Sequence, residues 1–72
     1  MSDNSNSKKT SWPEVEGGVP SQVAKHKILA DRPDVKVDVL PYGSVVTDDY
    51  DTKRVRVYFD YFRNVVGVPK VG

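Results

Sequence analysis

Three carboxylates crowd the middle of the chain at Asp48, Asp49 and Asp51, and two arginines follow at alternate positions, Arg54 and Arg56. Such carboxylates invite two chemical readings, general acid–base hydrolysis and calcium binding. Hydrolysis fails on geometry, because adjacent side chains on an extended backbone point to opposite sides. Asp48 and Asp49 therefore cannot converge on one substrate atom, and 72 residues leave little room for a deep pocket. Calcium binding of the EF-hand kind needs ligands over about twelve residues, with glycine at the sixth and an acid at the twelfth. That pattern is absent. His26 lies between Lys25 and Lys27 and reads as a solvent-exposed helix residue. No nucleophile–base pair has workable spacing, so no enzyme is expected. One histidine and no cysteine cannot form a structural zinc site, so neither metal nor cofactor is expected.

Arg54-Val55-Arg56 with Tyr58 and Tyr61 resembles a strip for stacking and neutralising single-stranded nucleic acid. The overall charge argues against it. Eleven basic and ten acidic residues give a formal net charge of +1, which sets up no field for nucleic acid or an anionic membrane. No apolar run approaches the length of a membrane span. The N-terminus lacks the apolar core of a signal peptide, so the chain as written is expected in the cytoplasm, or secreted or vacuolar if a leader has been removed. The absence of cysteine fits a reducing compartment.

These side chains need a scaffold, and the scaffold is small. A chain this short buries only about 60% of the surface it exposes when unfolded. With no disulfide, hydrophobic packing and local hydrogen bonds must hold it. Residues 1–10 are nearly all Ser, Asn, Asp and Lys, and are expected as a disordered tail. Residues 11–72 form the expected folded unit, read as a monomer. Trp12 belongs to the core, as a large aromatic near the start of a small domain.

Prolines 13, 20, 33, 41 and 69 punctuate the chain, and Gly17-Gly18 reads as a flexible joint. The pattern predicts a helix over 20–31, with Pro20 in its first turn and an end forced just before Pro33. Val23, Ala24, Ile28 and Leu29 fall near one face; Lys25, Lys27 and Asp31 read as solvated. Alternation of β-branched residues predicts strands over 35–40 and 54–60, with a last short strand within 65–71. Val55, Val57 and Phe59 share one face of the second strand, and Arg54, Arg56 and Tyr58 the other. The class is α+β, one helix covering the apolar faces of a small sheet. Pro41–Lys53 is too long for an ordinary connection and too rich in Val, Thr and Tyr for a linker. It is expected to be an extended, ordered, exposed loop.

Five segments, in order, carry a resemblance: Ser11-Trp12-Pro13-Glu14, Val39-Leu40-Pro41-Tyr42-Gly43-Ser44, Val46-Thr47-Asp48-Asp49-Tyr50, Arg54-Val55-Arg56-Val57 and Val68-Pro69-Lys70-Val71-Gly72. Together they resemble the potato inhibitor I family of serine protease inhibitors, which includes the eglin-like proteins. The resemblance implies a mixed sheet with two main parallel strands and a binding loop between them. It assigns Ser44, Val45, Val46, Thr47, Asp48, Asp49, Tyr50 and Asp51 to a protease-binding loop. Within it Thr47 takes P2, Asp48 P1, Asp49 P1′ and Tyr50 P2′, with Asp48–Asp49 as the scissile bond. The family's two supporting arginines fall on Arg54 and Arg56, and its C-terminal glycine on Gly72.

Elementary energetics agree with that use of a loop. Ordering a free peptide costs about 1–2 kcal/mol per residue, or on the order of 6–12 kcal/mol for six residues. A loop held ready before binding avoids this cost and binds correspondingly tighter. Arg54 and Arg56 lie on one strand face, from which forked guanidinium groups can reach back to Thr47 and the Asp49 carboxylate. The sequence departs from the family at P1, which is commonly large and apolar or basic. A carboxylate in an apolar slot carries a large desolvation cost, and in a trypsin-like pocket it meets another aspartate. Chymotrypsin and trypsin are therefore expected to be poor targets. Subtilisin-like enzymes and endopeptidases that accept an acidic P1 are the expected ones. Asp51, where the family often has arginine, adds a third negative charge to the loop. A non-inhibitory module that retains the fold is the alternative reading.

Overall fold

Pro20 and Pro33 bracket the helix for local reasons. The computed structural model describes residues 9–72, and residues 1–8 of the expected tail lie outside them. Helix α1 spans Ser21–Asp31, with Pro20 as its N-cap at φ −58°. It stops at Arg32, which is extended (φ −135°, ψ 77°) as a residue before proline must be. The Arg32 N–H closes the last turn onto the Ile28 carbonyl at 2.7 Å.

The buried stripe of α1 is Ser21, Ala24, Ile28 and Asp31. This differs from the expected face in two places. Val23 is 55% exposed, because it lies about 100° behind Ala24 around the helix, off the i, i+3, i+7 line. Asp31, read as solvated, is buried. Its Oδ2 accepts the indole N–H of Trp12 at 3.0 Å and the Lys27 ammonium at 2.9 Å. Trp12 is fully buried, and its polar N–H needs a partner there.

Three strands follow, β1 (Lys36–Pro41), β2 (Arg54–Phe59) and β3 (Val65–Val71), in the spatial order β1-β2-β3. β1 and β2 are parallel, with Lys36 opposite Arg54 and Pro41 opposite Phe59. β2 and β3 are antiparallel. Their register shifts between Arg56 and Tyr58, opposite Gly67–Pro69, where glycine at φ 76° and a proline suit an irregular ladder. The core gathers Trp12, Val15, Ala24, Ile28, Val35, Val55, Val57 and Val65 between helix and sheet.

The start of the described chain is fastened to this core. Thr10 accepts from Val71 N at 2.8 Å, Trp12 N donates to Pro69 O at 2.9 Å, and Arg32 Nη1 donates to Lys9 O at 2.9 Å. Lys9 and Thr10, grouped with the tail on composition, thus sit against the folded unit. Gly17 and Gly18 occupy a turn at φ 89° and 113°, after a short 3-10 helix at Pro13–Val15. The expected joint is a shaped turn.

Candidate functional site

A parallel strand pair cannot be closed by a tight hairpin; its connection must travel back the full length of the strands. For six-residue strands that return is about 16 Å, at roughly 3.3 Å per residue. Twelve residues, Tyr42 to Lys53, make the crossing without helix or strand. Fully extended they would span about 40 Å, so the surplus bows away from the sheet. Of Pro41 to Lys53 all but Ser44 are exposed, and Val45 completely so.

Both ends of the loop are pinned. At the near end Ser44 donates to Pro41 O through its hydroxyl (2.6 Å) and its N–H (3.1 Å), while Tyr42 N donates to Phe59 O (2.8 Å). At the far end Lys36 N donates to Lys53 O at 2.7 Å.

Between these pins the loop is gripped from beneath by β2. Pleating puts Arg54 and Arg56 on one face of the strand, opposite the buried Val55 and Val57. Arg56 Nη1 donates to Thr47 O (3.1 Å) and Nη2 to Thr47 Oγ1 (2.9 Å). Arg54 Nη2 donates to Asp49 O (2.6 Å) and Nη1 to Asp49 Oδ2 (3.3 Å). Asp48 stands between the two gripped residues, exposed. The Thr47 side chain, followed by the charge of Arg54, holds the Asp49 carboxyl below the usual carboxylate range. It therefore remains an anion, the form that Arg54 grips best.

Arg54 is itself held. Its Nε donates to Gly72 O at 2.7 Å, and Gly72 N returns a bond to Arg54 O at 2.9 Å. Gly72 also lies under the Tyr50 ring, close enough that an added Cβ would meet ring carbons at 3.7 Å. The Asp51 carboxylate turns to the loop backbone rather than to a guanidinium group: its Oδ1 accepts from Lys53 N at 2.8 Å, while its carbonyl accepts from Arg54 N at 3.2 Å. Two residues given no functional role in the sequence reading join here. The Lys53 ammonium binds Asp34 Oδ2 at 2.7 Å, and nothing in local spacing connects positions 19 apart in the chain. Among the described residues no group of three His, Asp or Glu could hold a metal.

A model of the potato inhibitor I family matches residues 3–72 of the chain. The chain belongs to the potato inhibitor I family. It is 45% identical over 64 residues to subtilisin inhibitor 1 of Phaseolus angularis, covering 89% of this chain and 68% of that protein. It is 44% identical over 64 residues to a chymotrypsin inhibitor of Lumbricus terrestris, covering 89% and 73%. The crystal structure of bitter gourd trypsin inhibitor superposes with a TM-score of 0.84 at 33% identity, covering 89% of this chain and 93% of that one. As a potato inhibitor I protein the chain is a serine protease inhibitor and not an enzyme. The expected α+β fold, one helix on a mixed sheet with a parallel pair, is the fold observed.

Proposed function

We propose that this inhibitor presents Thr47–Tyr50 to its target as a substrate-like segment, with Asp48–Asp49 as the scissile bond. The observation that carries this reading is the placing of two arginines that grip Thr47 and Asp49, one on each side of the exposed Asp48. Asp48 enters the S1 pocket, its carbonyl carbon faces the catalytic serine, and its oxygen occupies the oxyanion hole. The inhibitor supplies no catalytic group. Its loop is already ordered, so binding avoids most of the entropy that a free peptide loses. If the bond is cut, Arg56 keeps Thr47 and Arg54 keeps Asp49 near their former places, so resealing competes with release.

The target follows from Asp48. A carboxylate suits an S1 pocket with a basic or permissive lining, which favours acidic-P1 endopeptidases and subtilisin-like enzymes over chymotrypsin and trypsin. Relatives named for subtilisin, chymotrypsin and trypsin share the scaffold, so the loop rather than the fold sets the choice. The non-inhibitory reading drew on the acidic P1 at Asp48 and on Asp51 as a disturbance of the arginine support. Asp51 instead turns toward Lys53 and leaves both arginines on the loop.

The experiment is a titration of the intact protein against subtilisin, chymotrypsin, trypsin and a glutamyl endopeptidase. Inhibition of the first or last, with weak action on the other two, is expected. Inhibition of none at micromolar concentration leaves the non-inhibitory module as the better account.

A further inference from the structure

The arginines hold Thr47 and Asp49 from beneath, but the loop must also be held where it rejoins the sheet. That point is Lys53, one residue before Arg54. Its carbonyl accepts from Lys36 N at 2.7 Å, its N–H donates to Asp51 Oδ1 at 2.8 Å, and its ammonium donates to Asp34 Oδ2 at 2.7 Å. Asp34 is no free surface acid. Arg32 grips it with two nitrogens, Nε to Oδ1 at 2.8 Å and Nη2 to Oδ2 at 2.9 Å. Arg32 is only 7% exposed and also donates to Lys9 O. A continuous run of hydrogen bonds thus leads from the first described residue, past the end of α1, to the primed-side base of the loop.

We propose that Lys53, seated on the Arg32–Asp34 pair, is a positioning residue for the reactive loop, fixing the primed side from the edge opposite Gly72. This rests on the loop being the inhibitory segment. Arg32 orients the Asp34 carboxylate before Lys53 arrives, so the ammonium meets a group that has already lost its rotamer freedom. Lys53 then fixes Asp51 and the N–H direction of Arg54, and through Arg54 the carbonyl of Asp49. Hydrogen bonds from Arg32, then Lys53, hold the Asp34 carboxyl well below the usual carboxylate range, so the run stays charged in mild acid.

The test uses Lys53→Met, which keeps the aliphatic stem and leaves Arg32–Asp34 intact. NMR order parameters of the Asp48–Asp51 amides are expected to fall from the rigid range near about 0.85 toward about 0.6, with β1 and β2 unchanged. Hydrolysis of the Asp48–Asp49 bond by an inhibited protease is expected to rise roughly two- to five-fold, the effect of one partly exposed ion pair. The exchanged pair Lys53→Asp with Asp34→Lys is expected to recover less than half of either change, because Arg32 then faces a cation. A Lys53→Met protein with loop order and hydrolysis rate unchanged overturns the proposal, as does a loss of order spread evenly over the sheet. Order parameters need no protease. They judge Lys53 even if the wild-type protein inhibits nothing, an outcome that counts against the inhibitory loop instead.

Discussion

Arg56 holds Thr47 at two atoms with one guanidinium group, its carbonyl at 3.1 Å and its hydroxyl at 2.9 Å. A lysine ammonium is a point donor on a flexible stem and cannot reproduce that fork. Arg56→Lys is expected to weaken inhibition by about ten-fold, the loss of one charge-assisted hydrogen bond, and Arg56→Ala by more. Both variants should be cleaved faster at Asp48–Asp49. Inhibition constants and cleavage time courses against a protease held by the wild-type protein check this. Identical values across all three proteins would detach Arg56 from the function of the loop.

Asp48 is exposed and lies outside the core, so its replacement leaves the fold untouched. Asp48→Leu removes a carboxylate from the S1 contact and adds an apolar side chain worth about 1.5–3 kcal/mol when buried. Affinity for chymotrypsin is expected to rise by two or more orders of magnitude, since the desolvation cost of the charge also disappears. An unchanged preference among proteases would place P1 elsewhere in the loop.

The strands and the loop were legible because their signals are local. Alternation over residues 35–40 and 54–60 reports a pleat with one buried face; β1 lies one residue further along at both ends, and β2 begins as expected and stops one residue sooner. The pairing of Arg54 and Arg56 with Asp49 and Thr47 was within reach because the arginines alternate on one strand face directly after the loop. What escaped was long-range and polar. Asp31 looked like one more charge on a wet helix face until Trp12, 19 residues earlier, was placed against it. A buried indole N–H requires an acceptor, and that requirement was the available clue. Arg32, Asp34 and Lys53 carried no such clue, because their meeting depends on the parallel register that sets Lys36 beside Arg54.

Helix α1 offers a direct check on which of its apolar residues matter. Ile28 is fully buried among core side chains, whereas Val23 is more than half exposed. Ile28→Ala is expected to cost about 2–5 kcal/mol through lost burial and an unfilled cavity. Val23→Ala should fall within about 0.5 kcal/mol of the parent. Urea unfolding of the two variants reads both numbers. Similar losses for the two would contradict the placement of the helix on the sheet.

Asp31 predicts how stability responds to acid. The Lys27 hydrogen bond, then those from Trp12 and Lys9, hold its carboxyl below the ordinary range, although burial works the other way. A carboxyl that is more acidic in the folded chain binds fewer protons there than in the unfolded chain, so stability rises with pH across this window. The contribution is therefore fully present above the unfolded value of about 3.9, and is lost as pH falls through the lower folded value. Glu14, Asp34 and Asp49 are held low in the same direction and add to the slope. Asp31→Asn keeps an acceptor for the indole but has nothing to titrate, so its acid slope should be shallower than that of the parent. Asp31→Ala strands the buried indole N–H and should cost about 1–3 kcal/mol near neutral pH. Urea midpoints measured from about pH 2 to pH 7 separate the cases. A parent and an Asp31→Asn variant with parallel acid slopes would remove Asp31 from the set of groups that make the fold acid-sensitive.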